Sequence, residues 1–187
     1  MKKRTAFIGA ILSLIPFGQP LLIKTGVVLS SSAVMLSLPE KVNAETFKFY
    51  FNRAFEKGKR DDYYGAIFDF TKAIEINPTY EKAYYNRAWN KGKLKDYYGA
   101  ISDYTKAIEI NPTYEKAYYN RGTVKASDLS DYYGAISDFT KAIEINPNVI
   151  NYYFNRSVAK EKIGDIKGAC VDAKKAVSLG DTASDNK

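Results

Sequence analysis

Apolar positions in the segment 98–110 recur every three or four residues, which is the spacing of one face of an α-helix. They are Ala100, Ile101, Tyr104, Ala107 and Ile108. Asp96 stands where its side chain can cap the start of this helix. Asn111 precedes Pro112; a residue before proline disfavours the helical conformation, and proline has no N–H to donate. The pattern therefore predicts a helix that ends at the Asn-Pro step.

The same pattern recurs along the chain with a period of 34 or 35 residues. The stretch Asp96–Pro112 (DYYGAISDYTKAIEINP) has close copies at Asp62–Pro78 and Asp131–Pro147, and a weaker copy at Asp165–Leu179. A fixed period of this length is typical of repeat proteins. Alignment on the Asn-Pro step divides the chain into four units, residues 47–80, 81–114, 115–149 and 150–181.

Each unit reads as two helices, roughly residues 81–93 and 98–110 in the second unit. Small residues stand where two helices must cross closely, at Ala88, Ala100 and Ala107 in that unit, and large rings stand opposite them. Large-into-small packing is what two helices at close range need. One pair cannot bury its apolar face alone, so the pairs are expected to stack into one continuous core.

This arrangement resembles the tetratricopeptide repeat (TPR) family. The family pattern has aromatic residues at repeat positions 4 and 24, small residues at 8, 20 and 27, and proline at 32. The second unit supplies Tyr84, Ala88, Ala100, Tyr104, Ala107 and Pro112. The resemblance implies an all-α fold, a right-handed α-solenoid of four helix-turn-helix repeats within residues 45–181. Residues 182–187 are expected to form a disordered tail.

Three features depart from the family pattern. Position 11, usually aromatic, is lysine in every unit (Lys57, Lys91, Lys125 and Lys160). The third unit has one extra residue near 126–130, which we place in the turn between its helices. The fourth unit has Ala173 in place of the ring and Asp181 in place of the proline. Its last helix pair is therefore expected to leave apolar surface uncovered.

In the family, the first helix of each repeat lines a concave groove that binds peptides. The resemblance implies that the groove residues are Lys48, Phe51, Asn52, Phe55, Lys59, Lys82, Tyr85, Asn86, Trp89, Lys93, Lys116, Tyr119, Asn120, Thr123, Asn151, Phe154, Asn155, Val158 and Lys162. Rings offer contact area at low entropy cost, asparagine amides can pair with a peptide backbone, and lysines favour an acidic ligand. Trp89, the only tryptophan, is the best candidate for a binding hot spot. The alternative is that the aromatic and asparagine positions serve packing between repeats.

Chaperone-binding members of the family hold a C-terminal carboxylate with a defined set of lysine, asparagine and arginine residues. At the matching positions this chain has Phe51, Phe55, Asn86, Lys116 and Asn120. Only Asn86 and Lys116 fit that pattern, so this binding mode is not expected.

An arginine early in each unit and an aspartate late in it recur four times. The pairs are Arg53 with Asp69, Arg87 with Asp103, Arg121 with Asp138, and Arg156 with Asp172. We expect them to form structural ion pairs between the two helices of a unit. The only cysteine, Cys170, stands where the other units have isoleucine and is expected to be a small buried core residue.

Composition argues against catalysis and metal binding. The chain has no histidine and one cysteine, so imidazole bases, most zinc sites and internal disulfides are excluded. No cofactor is expected. The formal net charge is +7, but lysines and glutamates are interleaved along the repeats, which is typical of solvated helix faces and not of a nucleic-acid-binding stripe.

Residues 1–44 form a different kind of segment. A basic start at Met1–Arg4 is followed by apolar runs, and Val42-Asn43-Ala44 offers small residues at the positions a signal peptidase requires. We expect export with cleavage after Ala44. The alternative is a retained membrane anchor, since Thr5–Ile23 is long enough to cross a bilayer. Membrane contact is expected only through residues 1–44 if they stay uncleaved.

Together these patterns predict a non-enzymatic scaffold outside the cytoplasm that binds a peptide segment of a partner protein, with an acidic segment favoured. The alternative is a structural module that forms homo-oligomers through the uncovered face of its last repeat.

Overall fold

The computed structural model describes residues 21–22, 28–29 and 40–184, with side chains over residues 43–180. The chain divides into two units, residues 1–44 and 45–187. In the first unit, two-residue strands β1 (Leu21–Leu22) and β2 (Val28–Leu29) pair antiparallel, with Leu21 opposite Leu29.

The remaining described elements are helices. They are α1 (Glu40–Lys59), α2 (Tyr63–Ile76), α3 (Glu81–Lys93), α4 (Tyr97–Ile110), α5 (Glu115–Asp128), α6 (Tyr132–Ile145), α7 (Ile150–Lys162) and α8 (Ile166–Ser184). The two helices of a unit pack on each other, and the second helix of each unit packs on the first helix of the next. This is the all-α solenoid of four helix pairs that the period predicts.

The start and end of the second helix in each repeat follow from the motif. In α4, the Asp96 side chain accepts a hydrogen bond from the Gly99 N–H at 3.0 Å, which confirms the predicted cap. A Cβ at Gly99 would lie 2.1 Å from Asp96 Oδ2, so a larger residue here would require the capping side chain to shift. Asn111 ends the helix in an extended conformation with φ −129° and ψ 91° before Pro112.

Alanines and rings meet at the helix crossings as the sequence predicts. Ala100 and Ala107 are fully buried, and the large rings Phe70, Tyr104 and Phe139 are at most 2% exposed. In the third unit the small position is Gly122, where a Cβ would lie 2.9 Å from Phe139 Cε1. The ring thus fills the space of a missing side chain, which fixes the distance between α5 and α6.

The extra residue of the third unit lies in a helix, contrary to our expectation of a longer turn. Helix α5 spans 14 residues where α3 spans 13, and the turns that follow are both two residues long before the capping aspartate. Each turn contains one left-handed residue, Lys95 with φ 63° and Ser130 with φ 56°. The insertion therefore keeps the length of the turn and its left-handed residue, although the hydrogen bond of the capping aspartate N–H now reaches six residues back, to Lys125, instead of five.

The fourth unit differs from the sequence-based expectation in two ways. Helix α8 continues to Ser184, so the boundary of the expected tail was too early for residues 182–184, while residues 185–187 lie outside the described part. No proline stands at Asp181 to stop the helix. Cys170 is exposed, contrary to expectation. Its counterpart Ile136 packs in the core cluster that includes Ala159 of the next repeat, and the described residues place no further repeat against Cys170.

Candidate functional site

Rings at the fifth position of the first three units pack between helices of the stack. Phe51 lies with its ring centroid 5.5 Å from that of Phe70, and Tyr85 lies 5.7 Å from Tyr104. Tyr119 lies 5.8 Å from Phe139 and 4.9 Å from Tyr152 of the next repeat. These three rings are half-buried and belong to the contacts between helices.

Asparagines at the sixth position serve the same junctions. Asn120 Nδ2 donates to Tyr85 Oη at 2.8 Å, and Asn155 Nδ2 donates to Tyr119 Oη at 2.9 Å. Phe51 has no hydroxyl, and Asn86 Nδ2 instead donates to the Lys82 carbonyl of its own helix at 2.7 Å. These side chains are therefore less free for a ligand than the groove interpretation assumes. Burial raises the pKa of Tyr85, although the hydrogen bond from Asn120 acts in the opposite direction.

An open cleft of about 250 Å³ lies between the first and second repeats. It is lined by Phe55, Gly58 and Lys59 of α1, Phe70 of α2, and Tyr85, Asn86, Trp89 and Asn90 of α3. Phe55 is 45% exposed and Trp89 is 40% exposed, so both rings present apolar surface to solvent. Five residues that the sequence assigns to the groove thus come together here: Phe55, Lys59, Tyr85, Asn86 and Trp89.

Lysines lie over the exposed rings of this cleft. Lys59 Nζ is 4.6 Å from the Phe55 ring centroid, and Lys93 Nζ is 4.8 Å from the Trp89 ring centroid. An ammonium group is attracted to the negative face of an aromatic ring. Lys59 also pairs with the Glu56 carboxylate at 3.0 Å, so Lys93 is the cation beside these rings that has no ion pair among the described side chains. This charge suits a ligand that has both apolar and acidic groups.

Asn90 is the polar residue among the three cleft residues, with Gly58 and Phe70, that the predicted groove did not include. It is 3% exposed, and its Nδ2 donates to the Asn86 carbonyl at 2.7 Å. Its Oδ1 is buried and has no hydrogen-bond partner within the described part of the chain. A Cβ at Gly58 would lie 2.9 Å from this oxygen, so a larger residue there would require the amide to shift. The sequence feature that distinguishes Asn90 is its amide, because the tenth position is glutamate, valine or alanine in the other units.

The other predicted groove residues lie outside this cleft. Lys48, Asn52, Lys82 and Lys116 are exposed. Thr123 Oγ1 donates to the Tyr119 carbonyl of its own helix at 3.0 Å. Phe154 is 56% exposed.

The predicted arginine–aspartate pairs are present in all four repeats, and each is part of a larger cluster. In the second repeat, Arg87 Nε and Nη2 donate to the two oxygens of Asp103 at 2.8 and 2.7 Å. Lys91 Nζ lies 2.8 Å from Asp103 Oδ2. Arg87 Nη1 reaches the preceding repeat and donates to Thr71 Oγ1 at 3.0 Å. The lysine at position 11, a departure from the family pattern, is thus the second cation on a buried carboxylate.

The carboxylates at the two ends of the array show the electrostatic effect of this cluster. Burial raises the pKa of Asp69 and Asp172, but hydrogen bonds from the paired arginine and lysine outweigh burial. Both pKa values therefore lie below their usual range. The ionised form is stabilised, which fits a structural and not a proton-transfer role.

The predicted leader lies almost entirely outside the residues that the structure describes, and its cleavage or retention stays a prediction. Within the described residues, none of the helices combines the length and the apolar character that crossing a bilayer requires.

Solved structures with the same fold support the repeat assignment. A crystal structure of MamA matches with a TM-score of 0.73 at 20% identity, over 85% of this chain and 99% of that one. The first TPR domain of Spaghetti (RPAP3), bound to the HSP90 peptide SRMEEVD, gives 0.62 at 24% identity, over 64% and 94%. The OM64 TPR domain from Arabidopsis gives 0.61 at 27% identity, over 64% and 98%. No curated protein matches the chain.

The sequence itself matches the tetratricopeptide repeat description over residues 47–80, 81–114 and 115–149. These matches cover more than half of the chain and coincide with the first three helix pairs. The chain therefore belongs to the tetratricopeptide repeat family.

Proposed function

We propose that this protein-interaction scaffold has no catalytic activity and binds a peptide segment of a partner protein in the cleft between its first and second repeats. The observation that carries the proposal is the pair of half-exposed rings, Phe55 and Trp89, that face solvent in adjacent repeats. Aromatic side chains beside a recess dominate the binding energy of many protein interfaces. The ninth position holds smaller residues, Thr123 and Val158, in the later repeats.

The walls of the cleft define the chemistry of the segment. An apolar side chain of the ligand would fill the space between Phe55 and Trp89, and acidic groups beside it would meet Lys59 and Lys93. Asn90 Oδ1 lies in the wall as an acceptor that lacks a donor among the described residues. A ligand N–H that reached it after a small side-chain shift would satisfy this oxygen.

A structural neighbour solved with a bound peptide supports a peptide as the ligand class. The carboxylate pattern of chaperone-binding members is nevertheless not reproduced here. Phe51 stands at one of its lysine positions and packs on Phe70, and Asn86 bonds to its own helix. We therefore propose an internal acidic and apolar segment as the ligand, and not a free C-terminus.

The test is a capture experiment with three versions of the chain as bait. Trp89→Ala removes the main ring of the cleft, and Tyr98→Ala removes a ring that is 77% exposed outside it. Partners captured by the native chain and by Tyr98→Ala should be lost or reduced at least tenfold with Trp89→Ala. Equal capture by all three baits would show that the cleft is not the binding surface.

We also propose that the repeats act outside the cytoplasm after cleavage following Ala44, with a retained membrane anchor as the alternative. The basic start and the apolar runs of residues 1–38 support this proposal. N-terminal sequencing of the mature protein decides between them. A mature chain that begins at Glu45 agrees with cleavage, and one that begins at Met1 contradicts it.

A further inference from the structure

The three junctions between repeats share one polar contact. The arginine of the incoming repeat donates its Nη1 to a threonine on the second helix of the preceding repeat. The distances are 3.0 Å for Arg87 to Thr71, 2.9 Å for Arg121 to Thr105 and 3.0 Å for Arg156 to Thr140. Each threonine Oγ1 also donates to a carbonyl of its own helix, four residues back, so its position is fixed.

The fourth repeat has lysine at this junction position. Lys174 follows Asp172 by two residues, as each threonine follows the aspartate of its own unit. Arg156 Nε and Nη2 donate to the two oxygens of Asp172 at 2.8 and 2.7 Å, and Lys160 Nζ lies 2.8 Å from Asp172 Oδ2. The equivalent aspartates of the other repeats make the same contacts. Helix α8 therefore has the same rotation as the earlier second helices. Lys174 consequently lies on the face that a fifth repeat would cover.

This end face, formed by Phe154, Ala173, Lys174 and Val177, is apolar around the lysine. Val177 is 64% exposed, whereas its counterparts Ile74 and Ile108 are 9% exposed under the next repeat. Phe154 is 56% exposed because Ala173 replaces the ring that packs on the fifth-position aromatic in the other units. The missing ring leaves space for a large apolar side chain from another protein.

We propose that the end face binds an amphipathic helix of a partner protein that carries an aspartate or glutamate opposite Lys174. A helix like the first helix of these repeats would bring its arginine against Lys174, and like charges at close range are unfavourable. A second copy of the chain would present Arg53 of its first repeat in the same place. Lys174 has no ion-pair partner among the side chains of residues 43–180 that are described, so a carboxylate would complete the junction.

Two helix-stabilised peptides test the charge rule on the full chain. The first copies α3 (EKAYYNRAWNKGK), and the second carries the change Arg87→Glu. The glutamate peptide should bind the native chain at least tenfold more tightly than the arginine peptide. Lys174→Glu should reverse this order. Lys175→Glu is the matched control, because its counterpart Lys141 pairs with Glu144 on the outer surface, and it should leave the order unchanged.

Four outcomes would overturn the proposal. The first is equal affinity of the two peptides, or no binding of either, on the native chain. The second is an equal effect of Lys174→Glu and Lys175→Glu. The third is self-association of the native chain in sedimentation velocity that Val177→Glu abolishes, since a second copy would then occupy the face. The fourth is loss of binding of both peptides to the Trp89→Ala variant, which would place the peptides in the cleft. If the cleft binds no partner, the expected order of the two peptide affinities at the end face is unchanged.

Discussion

Replacing Arg87 by alanine tests the cluster that joins the first two repeats. Arg87 makes two charge-assisted hydrogen bonds to Asp103, at 2.8 and 2.7 Å, and one hydrogen bond to Thr71 across the junction. The Asp103 side chain is only 6% exposed, so a carboxylate that loses its guanidinium cannot recover full hydration.

The expected loss follows from these contacts. Removing one partner of a buried ion pair costs about 3–5 kcal/mol when the remaining charge has no other partner. Asp103 keeps Lys91 at 2.8 Å, which compensates part of the charge. We therefore expect Arg87→Ala to lower the free energy of unfolding by about 3 kcal/mol, at the low end of that range. Lys93→Ala removes only a cation–π contact on Trp89 and should cost less than about 1 kcal/mol.

Arg53→Ala is the matched control, since Arg53 makes the same forked contact with Asp69 but is 41% exposed and has no described counterpart of the Thr71 contact. Asp69 is as buried as Asp103 and keeps Lys57 at 2.9 Å, so the loss of stability should be smaller by the missing hydrogen bond, about 1 kcal/mol. Urea unfolding followed by circular dichroism at fixed pH measures all three variants. Equal losses for Arg87→Ala and Lys93→Ala, or for Arg87→Ala and Arg53→Ala, would refute the reasoning.

Three further predictions concern packing, pH and salt. Gly122→Ala places a Cβ 2.9 Å from the buried Phe139 ring and should lower the free energy of unfolding by about 1–2 kcal/mol. At Gly92 a Cβ meets nothing within 4 Å, so Gly92→Ala should raise the free energy of unfolding by about 0.5–1 kcal/mol. Equal melting temperatures of the two variants would contradict this. The pKa values of Asp69 and Asp172 are lowered, so their contribution to the free energy of unfolding is fully present above about pH 4 and is lost as the pH drops through their folded pKa values. Asp172→Asn should therefore make the free energy of unfolding, measured in urea at several acid pH values, less dependent on pH. An unchanged dependence would contradict this. Partner affinity should fall as salt rises, because the lysines around the cleft are exposed; a salt-independent affinity measured by calorimetry would exclude an acidic segment.

Local features of the fold were predictable from the sequence. The period, the Asp96 cap and the helix end before Pro112 depend on residues that are close in the chain, and each repeats. The pairing of Arg87 with Asp103 was predictable because both positions recur at a constant offset in four units. Because the motif occurs four times, a constant offset between two positions indicates a contact that a single copy would not reveal.

Features that depend on the contact between repeats were not predictable. The periodicity of one helix does not show that Asn120 reaches Tyr85 Oη, since that contact needs the rotation of one repeat on the next. The same limit hid the role of Lys91 and the exposure of Cys170 at the uncovered end of the stack. Asn90 was missed because the tenth position differs in every unit, so repetition does not indicate what its side chain faces.

The most direct test of the proposed binding surface is site-specific photo-crosslinking. A photoreactive phenylalanine analogue is placed at Phe55, in the cleft, or at Tyr98, which is 77% exposed outside it, and the chain is irradiated in the presence of its captured partners. The partner is expected to be crosslinked from Phe55 and not from Tyr98. Crosslinks from Tyr98 alone, or equal yields from the two positions, would contradict a binding site between the first and second repeats.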